Sequence, residues 1–302
     1  MSAAESKRKP GAKRAAWSQV TARVREQRDY AEGFRWLDLD VPAEFGEPVA
    51  GQFVQLLLES PSPVLLPRPM SVAGVTRRGA KTTIGFLYAP VGAGTRVLAS
   101  LEPGETVRIT GPLGQGFPLD EPGTPVLIAG GRGLAPLLMA AEALAKQRRS
   151  CEFVFGARNK SLLIGLNVAK DVLAKRGGRL HLCTDDGSRG LHGNVIDVLD
   201  KISPKLEAPL VIHACGPHGM LGAIARWALA NGARAHLVME SVMACGTGVC
   251  RGCPLPRSAE ARDRVLATGD AASALQGNPE WAMCCTDGPV FEARELDWDR
   301  VE

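Results

Sequence analysis

The residues best placed to do chemistry in this sequence are its cysteines. Cys245, Cys250 and Cys253 are separated by four and two residues in "SVMACGTGVCRGC", and Cys284 and Cys285 follow in "CCTDG". A Cys-x4-Cys-x2-Cys run completed by one distant cysteine is the plant-type spacing for a [2Fe–2S] cluster. Gly246, Gly248 and Gly252 stand among these thiols. A loop that wraps a cluster must turn sharply and aim N–H groups at sulfur, and glycine permits both. The rivals are structural zinc and buried free thiols. Zinc sites usually present paired Cys-x2-Cys knuckles, and neither the first gap nor the single late ligand fits that pattern. Spacing leaves open whether Cys284 or Cys285 closes the set.

A second chemistry is written in glycines. "LIAGGRGLAPLL" (127–138) reads as strand, glycine turn and helix, with Gly130, Gly131 and Gly133 allowing close approach of a phosphate. Pro136 falls near the first helical turn, where its missing N–H costs little. "HACGPHGML" (213–221) and "TDDGSRGLHG" (184–193) repeat the pattern at two further strand ends. Each is a weak signal alone; three on one sheet edge point to a nucleotide crevice. In "RPMS" (68–71), Arg68 offers a planar fork suited to a diphosphate and Ser71 a hydroxyl. "VGAGT" (91–95) could cradle a phosphate with its N–H groups and the Thr95 hydroxyl.

These residues need elements to position them. "QFVQLLLE" (52–59), "KTTIGFLYA" (81–89) and "TVRIT" (106–110) are strand-like runs punctuated by turn residues, which predicts a small antiparallel barrel. From residue 125 the rhythm changes. "PVLIAGG", "CEFVFG", "RLHLCTDD", "LVIHACGP" and "AHLVME" are buried-type strands alternating with helical patterns. One such pattern carries Leu134, Leu137, Leu138, Ala141 and Leu144 on one face. "GNVIDVLDKI" and "HGMLGAIARWALANG" behave likewise, the latter with Gly232 as its stop. That alternation predicts a doubly wound parallel sheet. After about residue 238 the chain turns glycine- and cysteine-rich, a small module needing a staple.

The chain has 302 residues, 45% of them apolar, enough for two or three domains with real cores. Its net charge of +4 is uneven: residues 1–28 hold eight Lys/Arg against two Asp/Glu. The basic stretch 1–17 reads as a solvated, disordered leader. No apolar run approaches the roughly 20 residues of a membrane span, and no secretory signal is visible, so a cytoplasmic chain is expected. In that setting clustered cysteines indicate metal or redox work. No Ser/His/Asp set or paired carboxylates suggest hydrolytic chemistry.

Taken together the motifs resemble one family, the electron-transfer subunit of class 1B dihydroorotate dehydrogenase, among the ferredoxin-reductase-like flavoproteins. The resemblance runs from about residue 18 to 292 and rests on "RPMS", "VGAGT", "GPLGQGF" (111–117), "GGRGLAPLL", "TDDGSRGLHGNV", "CGPHGML", "ESVMACGTGVCRGC" and "CTDGPVF" (285–291), in family order. It implies three parts: an FAD-binding barrel over 18–120, an NAD-binding α/β domain over 121–237 and a [2Fe–2S] module over 238–302. It implies Arg68, Pro69, Met70, Ser71, Tyr88, Gly94 and Thr95 against FAD. It implies Gly131, Gly133, Cys215 and Gly216 at NAD. The cluster ligands become Cys245, Cys250, Cys253 and Cys285, since the family's fourth ligand precedes "DGPVF" by one intervening residue. It implies as partner an FMN-containing catalytic subunit that oxidises dihydroorotate in pyrimidine biosynthesis. The sequence departs from the family at Arg132, usually apolar, at Ala89, often basic, and at Gln115, commonly Asn. The 31 residues between Cys253 and Cys285 exceed the usual gap and read as a surface excursion. The alternatives are a reductase subunit feeding ferredoxin, a hydrogenase or a sulfur-reducing partner, and a zinc-stabilised nucleotide-binding regulatory protein.

Overall fold

The computed structural model describes residues 17–31, 33–58, 64–79, 81–174, 177–268 and 279–301. The leader expected over 1–17 therefore lies outside the described residues, Trp17 apart. So does the middle of the long segment between Cys253 and Cys285.

The first layer is built from β1 (Ser18–Ala31), β2 (Phe34–Val41), β3 (Phe53–Leu57), β4 (Arg68–Ser71), β5 (Gly74–Arg78), β6 (Lys81–Tyr88), helix α1 (Ala93–Ala99) and β7 (Thr106–Leu113). The strands form one sheet in the order β4-β3-β7-β1-β2-β6-β5, every pair antiparallel. Its two edge strands are joined by only Val72 and Ala73, so the sheet must curl until its edges meet. Ala73 N–H then reaches the Gly85 carbonyl and Val72 N–H the Gln52 carbonyl. The expected barrel is the result. Its interior follows from alternation: Val20, Ala22 and Val24 of β1 and Leu37, Leu39 and Val41 of β2 point inward, with Ile84, Phe86 and Ile109. β1 itself is not evident in the sequence. Its outward residues are Arg, Glu and Gln, which mask a short apolar alternation.

The second layer alternates strand and helix: β8 (Thr124–Gly130), α2 (Leu134–Lys146), β9 (Glu152–Ala157), α3 (Leu166–Ala174), β10 (Arg179–Thr184), β11 (Leu191–His192), α4 (Val195–Ile202), β12 (Leu210–Cys215), α5 (His218–Ala230) and β13 (Arg234–Val238). The order β11-β10-β9-β8-β12-β13 is parallel throughout. It reverses direction between β8 and β12, and ligands collect at such a switch point. The helix boundaries have local causes. The Asn194 side chain accepts from Ile196 N–H at 2.8 Å while Asp197 accepts from Asn194 N–H at 2.7 Å, a capping box that starts α4. α5 ends at Ala230 with Asn231 as its cap; Gly232 follows in the left-handed region at φ +66°, and Ala233 N–H folds back to Ala228 O.

The remaining chain forms β14 (Pro254–Pro256), α6 (Ala259–Thr268), β15 (Trp281–Met283) and β16 (Val290–Glu292). β16 pairs antiparallel with β13 and becomes the seventh strand of the α/β sheet. β14 and β15 form a two-stranded ribbon. The described ends of the long segment are thus structured and partly buried: Leu255, Ala261, Ala282 and Met283 all lie in the interior. The expected surface excursion holds only for its outer part, such as the exposed Leu266. Among the described residues no helix is long and apolar enough to cross a membrane.

Candidate functional site

Two strand-to-helix turns meet at the switch point. After β8 the chain makes a single 3-10 turn over Gly131–Gly133 and enters α2; after β12 it passes Gly216 and Pro217 into α5. A Cβ on Gly133 would lie 2.0 Å from the Cys215 carbonyl oxygen, so the turns touch backbone to backbone. Above them opens a cleft of about 750 Å³ whose lining includes Gly131, Gly133, Gly216, Arg158, Asp185 and Met220. The first N–H groups of α2 and α5 have no acceptors within their own helices, which makes this cleft suited to a diphosphate. Arg158 and Asp185, both exposed, stand at the ends of β9 and β10.

A second cleft of about 290 Å³ lies between the barrel and the α/β layer. The barrel contributes Pro69, Met70, Ser71, Tyr88 and Thr95; the α/β layer contributes Arg132, Pro136 and Cys215; the last segment contributes Glu240, Met243 and Pro289. Arg132 and Glu240 also line the larger cleft, so the two adjoin. The structure thus brings the "RPMS" strand, the tyrosine and the "GAGT" turn together. Arg68 lies just outside this lining and packs its stem on Gly94, where a Cβ would come within 2.7 Å of Cδ. It has no ion-pair partner among the described residues. Thr95 sits differently from the simplest reading. Its hydroxyl donates to the Gly92 carbonyl at 3.1 Å and accepts the Gly92 N–H at 2.9 Å, so it closes the turn itself. Tyr88 donates its hydroxyl to Gln27 Oε1, and Gln27 Nε2 donates to the carbonyls of Leu98, Ala99 and Leu101. This fixes the end of α1 relative to the cleft wall. Burial pushes the Tyr88 phenol up to about 12, so it is neutral at any ordinary pH. A narrow, largely apolar slot with the Arg68 guanidinium beside it suits a flat ring system with a diphosphate tail.

Met243 leads straight from this cleft into the cysteine loop. Gly246 and Gly248 take φ values of +74° and +86° and turn the chain tightly. Cys245 Sγ accepts N–H bonds from Thr247 at 3.4 Å and Cys250 at 3.5 Å, and Cys250 Sγ accepts one from Gly252 at 3.4 Å. Burial raises the Cys245 thiol, but the N–H groups of Cys250 and Thr247 outweigh it and bring it down to about 6. Cys253 and Cys285 share a hydrogen bond, which lowers Cys253 to about 7 and raises Cys285. Gly248 N–H also points at Cys285. Cys284 is turned away: its Sγ–H donates to the Met239 carbonyl at 3.4 Å, and burial raises its thiol. Four thiols are therefore arranged as two neighbouring pairs, Cys245 with Cys250 and Cys253 with Cys285. A two-iron cluster takes two thiolates on each iron, and N–H···S bonds of this kind surround such groups. The donor set fits. Among the described residues no three His, Cys, Asp or Glu side chains gather around one point as a single ion would need.

Comparison with known proteins decides the family. Residues 127–226 match the oxidoreductase NAD-binding domain. The dihydroorotate dehydrogenase B (NAD(+)) electron transfer subunit of Listeria monocytogenes serotype 4b (strain F2365) is 34% identical over 262 residues, covering 83% of this chain and 90% of the relative. The corresponding subunit of Bacillus caldolyticus is 34% identical over 251 residues, covering 82% and 86%. The chain belongs to this family of electron-transfer subunits. A solved NADH-dependent reduced ferredoxin–NADP oxidoreductase, studied for flavin-based electron bifurcation, superposes with a TM-score of 0.75 at 25% identity over 93% of this chain and 91% of its own.

Within this family member, several residues that carry no assigned cofactor role join the parts. Gln55 and Gln115 tie the barrel to the cysteine loops. Gln55 Nε2 donates to Met243 O at 3.3 Å; Gln115 Nε2 donates to Thr286 O at 3.3 Å, and its N–H to Gly288 O at 2.6 Å. Gln115 thus grips the turn that carries Cys285. The signal for Gln55 was available: it is a glutamine inside an apolar strand, and it is 2% exposed. Glu240, Met243 and Pro289, which line the smaller cleft, lie within the two cysteine motifs themselves. Arg132 stands exposed where both clefts meet, and Ala89 is buried in the smaller one.

Proposed function

We infer that this chain carries FAD in the smaller cleft, NAD in the larger and a [2Fe–2S] cluster on its paired thiols, and relays electrons between NAD and a partner. In this reading Arg68, Pro69, Met70, Ser71, Tyr88, Gly94 and Thr95 hold FAD; Gly131, Gly133, Cys215 and Gly216 hold NAD; Cys245, Cys250, Cys253 and Cys285 hold the cluster. The flavin supplies the conversion between two-electron hydride exchange and one-electron exchange. The protein's task is placement. Glu240 and Arg132 adjoin both clefts, while Met243 and Pro289 bound the smaller cleft on the cysteine side. That contiguity, with the flavin-sized slot between the nucleotide cleft and the thiols, is the observation that carries the reading. The three working parts are the barrel over 18–120, the α/β domain over 121–237 and the cysteine module over 238–302. The partner is an FMN-containing catalytic subunit that oxidises dihydroorotate to orotate, with both chains in the cytoplasm. The likeness to the NADH-dependent ferredoxin–NADP oxidoreductase favours a second reading, the same relay serving ferredoxin.

The test is an anaerobic visible spectrum of the purified chain with iron, zinc and flavin assayed on one sample. The expected result is about two irons and one FAD per chain. Zinc without flavin overturns it. Reduction of the bound FAD by dihydroorotate, only when the catalytic subunit is added, separates the first partner from ferredoxin.

A further inference from the structure

The long segment between Cys253 and Cys285 does something for the thiols it separates. Its first strand, β14, begins immediately after Cys253, and its second, β15, ends immediately before Cys284. The two pair antiparallel with Pro254 opposite Met283, Leu255 opposite Ala282 and Pro256 opposite Trp281. Cys284 N–H continues the ladder to Cys253 O at 2.9 Å. Cys253 and Cys284, 31 positions apart, are thereby placed side by side at the mouth of the ribbon, and the turn that follows brings the Cys285 thiol to Cys253. A slip of one residue would send the side chains of one strand to the opposite face and displace the turn that carries Cys285.

Something must therefore hold the register. Arg257, just past β14, is 8% exposed, and its guanidinium bonds Asp287 Oδ2 at 3.0 Å. The same oxygen accepts Met283 N–H at 2.8 Å, while Asp287 N–H returns to Met283 O at 2.8 Å. Asp287 thus closes the turn that contains Cys284 and Cys285, and Arg257 fixes Asp287 from the opposite strand. Arg257 N–H also bonds Glu280 O, so its backbone is part of the ribbon.

We propose that Arg257 is a positioning residue for the cluster: with Asp287 it locks the ribbon and the turn beyond it that carries the Cys285 thiol onto Cys253. This rests on the reading that Cys245, Cys250, Cys253 and Cys285 hold iron. The full chain is purified anaerobically as wild type, Arg257→Met, Arg257→Lys and the double variant Arg257→Met/Asp287→Leu. The double variant removes both charges, so no unpaired buried ion remains to destabilise it. Iron and FAD content, the rate of iron loss to a chelator, the electron paramagnetic resonance signature and the melting temperature are measured on each.

Arg257→Met is expected to lose iron about tenfold faster, as losses of outer partners of metal ligands do. Its resonance signature changes while FAD stays bound, and Arg257→Lys recovers part of the wild-type behaviour. The double variant recovers melting temperature without recovering the signature. The inference is overturned if Arg257→Met keeps wild-type iron loss and signature, or if the double variant recovers signature and melting temperature together. It is overturned as well if Arg257→Met sheds FAD and cluster alike. A wild-type chain without iron refutes the cluster reading, and this inference with it.

Discussion

At the scale of single residues, the adjacent cysteines show how one atom's environment assigns a role. Cys284 and Cys285 are both fully buried, yet their thiols face opposite ways: one toward the Met239 carbonyl, the other toward Cys253 and the Gly248 N–H. No spacing argument could separate them, because a tight turn sends neighbouring side chains in different directions. The resemblance selected Cys285 by its distance from "DGPVF", and of the two thiols it is the one that faces Cys253. Two substitutions check it. Cys285→Ser is expected to lose the cluster, a larger effect than the roughly 10- to 100-fold cost of disturbing an outer partner. Cys284→Ser keeps it, since a serine hydroxyl still donates to Met239 O. Iron content and visible absorbance of the two purified variants are the readout, with NADH-driven reduction of an artificial dye intact in both. Full iron in Cys285→Ser would reverse the assignment.

At the scale of elements, periodicity carried the α/β layer. The strands over 124–130, 152–157, 179–184, 210–215 and 234–238 and the helices between them follow apolar runs and caps visible in the chain. The ribbon of β14 and β15 was not legible, because three-residue strands have no period to read. Gly133 marks where an element's course depends on one missing side chain. Its φ is −61°, an ordinary helical value, so any residue could adopt it. What forbids a side chain is the Cys215 carbonyl oxygen, 2.0 Å from where a Cβ would stand. Backbone cannot rotate aside as a flexible side chain would. Gly133→Ala must therefore push the β8 and β12 turns apart, at about 1–3 kcal/mol of overpacking. A displacement of about 1 Å at a binding turn can cost on the order of 100-fold in rate. The NADH-driven half-reaction of the flavin, followed by stopped flow, should slow by at least tenfold while the cluster spectrum is unchanged. A wild-type rate in a folded Gly133→Ala variant would remove this turn from the nucleotide site.

At the scale of the whole molecule, what the sequence could not reveal was how its parts join. The two clefts, the cysteine loops and the connector between barrel and α/β layer come together through contacts that no single motif specifies. The connector shows the physics best. Arg149 donates to the carbonyls of Leu119, Glu121 and Gly123, while Glu121 takes Arg234 at 2.6 Å and His236 at 2.9 Å. Beside them His213 is 1% exposed, stacked on His236 at 5.5 Å and edge-on to Phe117 of the connector at 5.2 Å. Burial, reinforced by His236, Arg149 and Arg234, holds the His213 imidazole well below its ordinary value of 6.5. The folded chain therefore keeps this ring neutral, whereas the unfolded chain protonates it as pH falls through about 6.5. The unfolded state then binds the extra proton, so stability is intact above that pH and declines below it. The loss approaches about 1.4 kcal/mol per pH unit for one such group. Urea midpoints measured from pH 7.5 to 5 should fall with this slope in the wild type. His213→Leu, which removes the titrating ring and its Nδ1, unpartnered among the described residues, should flatten the profile by that one-proton share. Parallel profiles for the two proteins would mean that the acid sensitivity of the domain junction arises elsewhere.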